Sequence, residues 1–253
     1  MPGSWRVGAG SVALVTLEPV PEDWDRCLSI VAHPDDLEYG GSSALARWTS
    51  QGKTAVELLA TRGEAGIASM DPDETARVRS VEQEASAAIV GAEAVEFLSG
   101  HRDGMLEYGL PLRRDLARAI RRQRPDVVLT SSVREGFYGS PAGWNHADHR
   151  VLGEAVVDAV QDAGNRWVFP ELLSEGFEPW DGVRFVLVAS SPLSKHFVDI
   201  SESIERGMES LRAHAVYFGA LGGAAGTEAF LRRGAAEVGA AVGVAHALPV
   251  ELI

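Results

Sequence analysis

The chain has 253 residues, of which 45% are hydrophobic and 23% charged, a balance typical of a folded globular protein. Its formal net charge of −13 argues against nucleic acid or an anionic membrane surface as a partner. The single cysteine, Cys27, excludes an internal disulfide and a zinc site built from cysteines. The length fits one domain covering residues 1–253, and the sequence contains neither a repeat nor a domain linker.

The two ends of the chain give weaker signals than its middle. Residues 1–10 contain Gly and Pro and are predicted to fray, whereas residues 11–20 favour an extra strand. The start has no basic lead and no apolar stretch long enough to span a membrane, so we expect a cytoplasmic protein. The Gly- and Ala-rich residues 219–226 predict a mobile loop, and residues 219–253 are predicted as a C-terminal helix, near 227–241, and a tail.

From residue 27 onwards, strand-like apolar runs alternate with helix-like runs. The predicted strands span residues 27–32, 54–61, 94–99, 126–131 and 183–190, with a further short strand at 167–169. The predicted helices span residues 42–51, 73–90, 112–123, 147–162 and 201–213. Strands that alternate with helices form βα units, so we predict an α/β fold with a mostly parallel sheet and helices on both faces.

The most informative stretch follows the first of these strands, before the next helix begins. It contains His33, Asp35 and Asp36, one imidazole and two carboxylates within four positions. Open parallel sheets bind ligands at the carboxyl ends of their strands, and this set of side chains suits a divalent ion. Each residue alone also fits an ordinary turn with Asp36 as a helix N-cap. Two adjacent aspartates fit a cation site better, because like charges repel each other.

A second polar cluster, Trp144-Asn145-His146-Ala147-Asp148-His149, opens the predicted helix 147–162 after another strand. His146 and His149 are three positions apart, so both can point the same way from a helix start. Asp148 can accept a hydrogen bond from an imidazole and fix its tautomer. Two ligands from the first turn and one from the second, with an open position, form the pattern of a catalytic zinc site. Such an ion activates water and polarises a carbonyl, while nearby groups move protons.

These two motifs, with Thr61-Arg62-Gly63-Glu64-Ala65-Gly66 between them, resemble the PIG-L/LmbE deacetylases. The first motif in full is Ala32-His33-Pro34-Asp35-Asp36-Leu37-Glu38, and the resemblance runs from about residue 27 to residue 214. It implies a Rossmann-like α/β fold. It also implies a zinc-dependent hydrolase that removes the N-acetyl, or another N-acyl, group from an N-acylated amino sugar such as an N-acetylglucosamine conjugate.

The resemblance also implies a role for each polar residue of the motifs. One Zn²⁺, or another divalent transition metal, would be bound by three ligands: His33, Asp36 and His149. Asp35 would be the general base, and His146, held by Asp148, would stabilise the tetrahedral intermediate. Arg79 and Asp103 match positions that contact the sugar in this family.

Residues 132–145 lead directly into His146 and are predicted to form a mobile wall or lid over the metal. They contain three glycines and the aromatic residues Phe137, Tyr138 and Trp144. A closed lid would place Tyr138 and Trp144 against a sugar face and exclude water. The alternative is an ordinary surface loop whose aromatic side chains pack on the body of the domain.

The sequence departs from the family pattern near its C-terminal part. Arg206 stands where the family often has Lys, and Ala213-His214-Ala215-Val216-Tyr217 lacks the Ser and Gln of an Ala-His-x-Ser-Gln pattern. The role of His214 is therefore open, with helix capping or packing as the simple alternative. Hydrolysis of another amide or ester and a non-catalytic glycan- or metal-binding domain stay as alternative functions. The aglycone, the acyl length and a homo-oligomeric state are not specified by the sequence.

Overall fold

Eight strands form one sheet in residues 17–138 and 144–253, the part of the chain that this computed structural model describes. In chain order they are β1 (Glu18–Pro19), β2 (Arg26–Val31), β3 (Thr54–Leu59), β4 (Ala94–Phe97), β5 (Val127–Thr130), β6 (Phe185–Ala189), β7 (His196–Asp199) and β8 (Ala247–Leu252). Across the sheet the order is β1-β7-β8-β6-β5-β2-β3-β4. Only β8 runs antiparallel to its neighbours in this sheet, so the predicted α/β fold with a mostly parallel sheet is confirmed.

Helices cover both faces of the sheet. They are α1 (Gly41–Ser50), α2 (Pro72–Val90), α3 (Leu110–Gln123), α4 (Ala147–Gly164), α5 (Glu171–Ser174), α6 (Ile204–Ala213), α7 (Ala215–Ala220) and α8 (Ala225–Val242). A short 3₁₀ helix spans Asp36–Tyr39, between β2 and α1. None of the helices in the described ranges combines the length and the apolarity that a membrane crossing requires.

The central strand β2 is apolar on both sides, as a strand buried between two helical layers must be. Leu28 and Ile30 pack into one core with α3 and α4, whereas Cys27 and Val31 pack into the other with α1. This alternation is the two-residue period of a β-strand. Cys27 is buried, and its burial raises the pKa of the thiol, so the prediction of a small core residue is confirmed.

Several terminal and connecting segments differ from their predictions. Residues 1–10 and most of the predicted strand 11–20 lie outside the described residues, although β1 falls at the end of that range. The predicted strand at 167–169 is wrong, because these residues form turns. Most of the predicted loop 219–226 is helical or a short turn between α7 and α8, and the predicted tail contains the sheet strand β8.

The strand order brings the two polar motifs to one crevice. β2 pairs with β3 on one side and with β5 on the other, so the connections leaving β2 and β5 diverge at the carboxyl edge of the sheet. Ligands bind at such a point in open parallel sheets. His33 follows β2, and the segment that leads to His146 follows β5, so the two predicted halves of the site meet there.

Candidate active site

Asp36 is the residue around which the predicted metal ligands gather. Its Oδ2 accepts hydrogen bonds from the backbone N–H groups of Ala32 and His33, both at 2.9 Å, and this fixes the turn after β2. Its Oδ1 lies 3.0 Å from His149 Nε2, and its Oδ2 lies 3.6 Å from His33 Nδ1. Because two side-chain nitrogens approach one carboxylate from different elements, these three side chains can share one small cation.

Both histidines have their second ring nitrogen held by another polar group. His33 Nε2 lies 3.1 Å from Asp148 Oδ2 and 3.1 Å from Asp103 Oδ1. His149 Nδ1 lies 2.9 Å from Asn145 Oδ1. These acceptors favour a proton on His33 Nε2 and on His149 Nδ1. The other nitrogen of each ring, His33 Nδ1 and His149 Nε2, is then unprotonated and faces Asp36. Metal-ligating histidines are oriented by such contacts, so the geometry fits a metal centre.

The charges around His33 also fit a cation. Burial disfavours a charged imidazole, but Asp36, Asp103 and Asp148 together raise the pKa of His33 to about 12. Burial likewise opposes a charged Asp36, yet His149 and His33 hold the pKa of its carboxyl well below the usual range. A positive charge is therefore strongly favoured at this point of the fold. A divalent ion satisfies the same carboxylates while leaving the imidazoles neutral.

The described residues offer overlapping sets of metal ligands. Nitrogens of His33, His146 and His149 all lie within 4.8 Å of one another, and the same holds for ligand atoms of His33, Asp103 and Asp148. The ring centroids of the three histidines are 5.3 to 5.4 Å apart. The donors are imidazoles and carboxylates without thiolate, a set that suits zinc and other divalent transition ions.

Asp35 lies beside this cluster and belongs to a different hydrogen-bond network. Its backbone has φ of 94°, a left-handed conformation that is unusual for a residue with a side chain. Gln83 Oε1 accepts its N–H at 3.1 Å, and Arg79 Nη2 lies 2.8 Å from its Oδ1. Burial and the nearby Asp36 charge raise the pKa of Asp35 to about 7, although Arg79 opposes the shift. A carboxyl with that pKa can accept a proton at neutral pH.

Arg79 and Asp103, the predicted sugar-contacting residues, have protein partners in the structure. Arg79 is only 2% exposed and donates to Gly63 O at 3.0 Å and to Pro34 O. A Cβ at Gly63 or Gly66 would lie 2.2 or 2.3 Å from its Nη1, so the glycines of that motif make room for the guanidinium. Asp103 Oδ2 accepts from Ala65 N at 2.9 Å while its other oxygen faces His33. Direct sugar contact by these two residues stays a prediction.

His146 and Asp148 are close in space but not in the predicted arrangement. The Asp148 carboxylate accepts the N–H groups of Gly104 and Leu106, at 2.7 and 3.2 Å, and contacts His33. It is the backbone N–H of Asp148 that donates to His146 Nδ1, at 3.2 Å, because His146 is the N-cap of α4. Asp148 therefore orients His33, and it holds His146 only through its main chain.

The predicted lid residues have two different environments, and residues 139–143 of the segment lie outside the described part. Tyr138 is partly buried against the cluster of Leu17, Phe197, Val238 and Ala247, and its N–H donates to Ser190 O at 2.8 Å. Tyr138 thus matches the alternative to a lid, a surface loop whose aromatic side chains pack on the body of the domain. Trp144 is 71% exposed, and the Arg150 guanidinium lies 5.0 Å from its ring centroid. Trp144 is thus available to a ligand, whereas Tyr138 supports the domain.

The C-terminal departures from the family pattern occupy structural positions. Arg206 donates to the carbonyl oxygens of Ala46 and Ile89, near the ends of α1 and α2, where a cation is favourable. His214 is fully buried, with its Nε2 3.6 Å from Glu38 Oε2. The hydroxyls of three serines also contact Glu38: Ser42, Ser86 and Ser210. His214 therefore helps to hold a buried carboxylate behind the site.

Sequence reasoning did not find three residues that support the site. Asn145 was in the motif, but its amide, which links the loop carbonyls of Ser132 and Arg134 to His149, was not anticipated. Gln83 bridges Asp35 to Glu57, whose carboxyl is completely buried within β3. A charged residue in the middle of an apolar strand run was the available signal for Glu57.

Glu57 gives the fold a pH-dependent stability. Burial, and to a lesser extent the nearby Glu38 charge, raise its pKa from the ordinary 4.5 to about 8. Between these values the unfolded chain releases the proton and the folded chain keeps it, so the free energy of unfolding falls as the pH rises. We therefore compare the free energies of unfolding of Glu57→Gln and wild type. The variant's value relative to wild type should be on the order of 2–4 kcal/mol higher at pH 8.5 than at pH 5.

Denaturant unfolding of both proteins at the two pH values measures this difference. The glutamine keeps an acceptor for Gln83, and Glu57 Oε1 has no hydrogen-bond partner among the described residues. The change in local contacts is the same at both pH values, so it cancels when they are compared. A gap between Glu57→Gln and wild type that stays constant with pH would contradict the raised pKa.

Comparisons with known proteins agree with this geometry. Residues 28–160, more than half of the chain, match the PIG-L family, described as GlcNAc-PI de-N-acetylase. The diacetylchitobiose deacetylase of Thermococcus kodakarensis is 29% identical over 198 residues, which are 78% of this chain and 71% of that protein. A 1D-myo-inositol 2-acetamido-2-deoxy-alpha-D-glucopyranoside deacetylase of Kineococcus radiotolerans is 32% identical over 167 residues, 53% of this chain but only 44% of that protein.

Among solved structures, the fold is similar to that of the N,N'-diacetylchitobiose deacetylase from Pyrococcus horikoshii, complexed with its inhibitor MPG. The TM-score is 0.82 at 25% sequence identity, and the match covers 92% of this chain and 85% of that one. The family predicted from the sequence motifs is confirmed: this chain belongs to the PIG-L family of deacetylases.

Proposed function

We propose that this protein is a zinc-dependent hydrolase that removes the N-acetyl group from an N-acetylated amino sugar. The observation that carries the proposal is the Asp36 carboxylate between His33 and His149, with Asp35 beside it and bound to Arg79. The named relatives, which act on diacetylchitobiose and on an acetamido-glucopyranoside, support the substrate class. Zinc as the cellular metal and a cytoplasmic location are parts of the same proposal.

His33, Asp36 and His149 would hold the metal, and Asp103, Asp148 and Asn145 would orient the two imidazoles. When bound, the ion would polarise the amide carbonyl and lower the pKa of water to about 7. The Asp35 carboxylate is bound by Arg79, and Gln83 accepts only its backbone N–H, so the carboxylate is free of the metal and accepts the proton of the attacking water.

His146 has the geometry of a hydrogen-bond donor to the developing oxyanion. Its Nδ1 accepts the Asp148 N–H, so in the neutral ring the proton is on Nε2, which has no partner among the described residues. An N–H donor held at a helix N-cap is fixed before the substrate arrives, and such preorganised donors stabilise a negative oxygen. The proton that the leaving amine needs is the one that Asp35 takes from the attacking water, because a neutral imidazole that gave up its Nε2 proton would become an imidazolate.

Acetate release tests the function directly. Purified protein is incubated with N-acetylglucosamine, diacetylchitobiose and N-acetylglucosaminyl inositol, before and after chelator treatment and with zinc added back. We expect acetate and a free amine in equal amounts, loss of the reaction on chelation and recovery with zinc. Release of acetate from O-acetyl esters alone would favour the alternative ester hydrolase. Tight sugar binding with no product would favour the non-catalytic alternative.

Trp144 tests the lid. We expect Trp144→Ala to raise KM by about fivefold, or to lower kcat by a similar factor, because an exposed aromatic ring stacking on a sugar contributes about 1 kcal/mol. Zinc content and melting temperature should stay near wild type, since Trp144 is 71% exposed. Tyr138→Ala is the matched control and should lower the melting temperature while leaving the folded enzyme nearly normal. Unchanged kcat and KM in Trp144→Ala would contradict the lid.

A further inference from the structure

We propose that Tyr217 is a positioning residue for the catalytic base, an inference that rests on the proposed function and concerns a residue outside the metal centre. The Arg79 guanidinium carbon lies 3.9 Å from the Tyr217 ring centroid. The edges of that guanidinium are already held by Asp35 at 2.8 Å and by Gly63 at 3.0 Å. The ring therefore covers a face of the cation whose edges hold the base.

The backbone that carries Tyr217 is attached to the helix that carries Arg79. Glu82, three residues after Arg79 on α2, accepts the N–H groups of Val216 and Tyr217 at the start of α7. Residues three apart on a helix lie on the same side, so Arg79 and Glu82 face α7 together. These main-chain contacts to Glu82 help to hold the ring over the guanidinium.

The base needs this support because its own backbone is unfavourable. Asp35 has φ of 94°, and such a conformation persists only where the surroundings determine it. Arg79 contributes two of the contacts, to Pro34 O and to the Asp35 carboxylate. Without the ring, water would reach the guanidinium face, weaken its attraction to Asp35 and allow other Arg79 rotamers. A displaced base lowers the rate even when substrate and metal still bind.

This role gives a physical reason for a departure in the sequence. Tyr217 occupies the last position of the Ala213–Tyr217 segment, where the Ala-His-x-Ser-Gln pattern of the family has Gln. An aromatic ring can stack on a buried guanidinium, and Arg79 is 2% exposed. Stacking on Arg79 uses the ring face of Tyr217 and not its hydroxyl, so the ring is the feature to test.

Tyr217→Leu and Tyr217→Phe separate the ring from the hydroxyl and from simple bulk. On the deacetylation substrate with the highest wild-type turnover, we expect Tyr217→Leu to lower kcat by on the order of tenfold to a hundredfold while KM changes less than about twofold. Tyr217→Phe should recover most of the wild-type kcat. Both should keep full zinc content, and Trp167→Leu, which removes an exposed Trp stacked on Arg166, is the control for loss of a surface aromatic–arginine contact.

A double substitution tests whether the effect passes through Arg79. If Tyr217 acts by holding Arg79, Tyr217→Leu should cost far less in an Arg79→Lys background than in wild type, because coupled residues are not additive. Wild-type kcat in Tyr217→Leu, or additive losses in the double variant, would overturn the role of Tyr217. A loss in Tyr217→Phe equal to that in Tyr217→Leu would also overturn it. Absence of acetate release by the wild type would overturn the proposed function, and with it a positioning role that has no reaction to serve.

Discussion

Replacing Asp35 by Asn should lower kcat by roughly 10²–10⁴-fold, the usual contribution of a positioned general base. The amide cannot accept the proton of the attacking water. The fold should tolerate the change, because Asn is among the residues that adopt left-handed backbone conformations and Asp35 has φ of 94°. An Asn oxygen can also still accept the hydrogen bond from Arg79, so the neighbouring loop keeps its contact.

Measuring zinc content shows whether the loss of kcat in Asp35→Asn comes from the missing base or from a missing metal ion. The Asp35 carboxylate faces Arg79, whereas the Asp36 carboxylate faces the two histidines, so Asp35→Asn should keep one metal per chain. Steady-state kinetics together with metal analysis of the same preparation measure both quantities. Asp25→Asn, an exposed substitution before β2 at the opposite edge of the sheet, is the matched control and should behave as wild type. Near-normal turnover in Asp35→Asn would rule out its role as the base.

The strands β2 to β6, which pair in parallel, were predictable because each has a local signature, whereas no strand was predicted at β7. Runs such as Cys27–Val31 are apolar except for one serine, Ser29, and a helix pattern follows each of them. The strand β8 was not predictable in the same way, because it contains Pro249, which cannot donate to a sheet ladder. In the structure Pro249 uses its carbonyl, which accepts the N–H of Ser190. Pairing with β6 and β7 determines this strand, and such pairing is a long-range property.

In the candidate site, too, the locally spaced residues were predictable and the long-range contacts were not. His33 and Asp36 share one turn, and His146 and His149 share another, so local spacing was enough to identify them and the sheet edge brought the two turns together. The supporting contacts join residues that are distant in the sequence. Arg79 meets Asp35 across 44 positions, and Gln83 meets it across 48. An arginine in a helix gives no local sign that it will be buried. The contact between Arg79 and Asp35 could therefore be identified only in the structure.

The second large effect is expected at the metal centre, on zinc affinity. We expect His149→Ala to lose at least about 100-fold in zinc affinity, because removal of residues that merely orient a ligand already costs 10–100-fold. Acetate release should fall with metal occupancy. Asn145→Ala, which removes the acceptor 2.9 Å from His149 Nδ1, should show the smaller, 10–100-fold loss. The two variants therefore form a graded series that a general effect on folding would not produce.

Chelator competition measures these affinities without any enzymatic assay. The thermal shift on adding zinc provides a second reading, because the stabilisation of the folded state by a ligand grows with the logarithm of its affinity. His101→Ala is the control, since His101 also contacts a carboxylate, Asp115 at 3.0 Å, but lies outside the predicted ligand set. It should keep full zinc affinity. Wild-type affinity in His149→Ala would contradict its assignment as a ligand. It would then favour an ion held by His33, Asp103 and Asp148, a set of ligand atoms within 4.8 Å of one another that does not include His149.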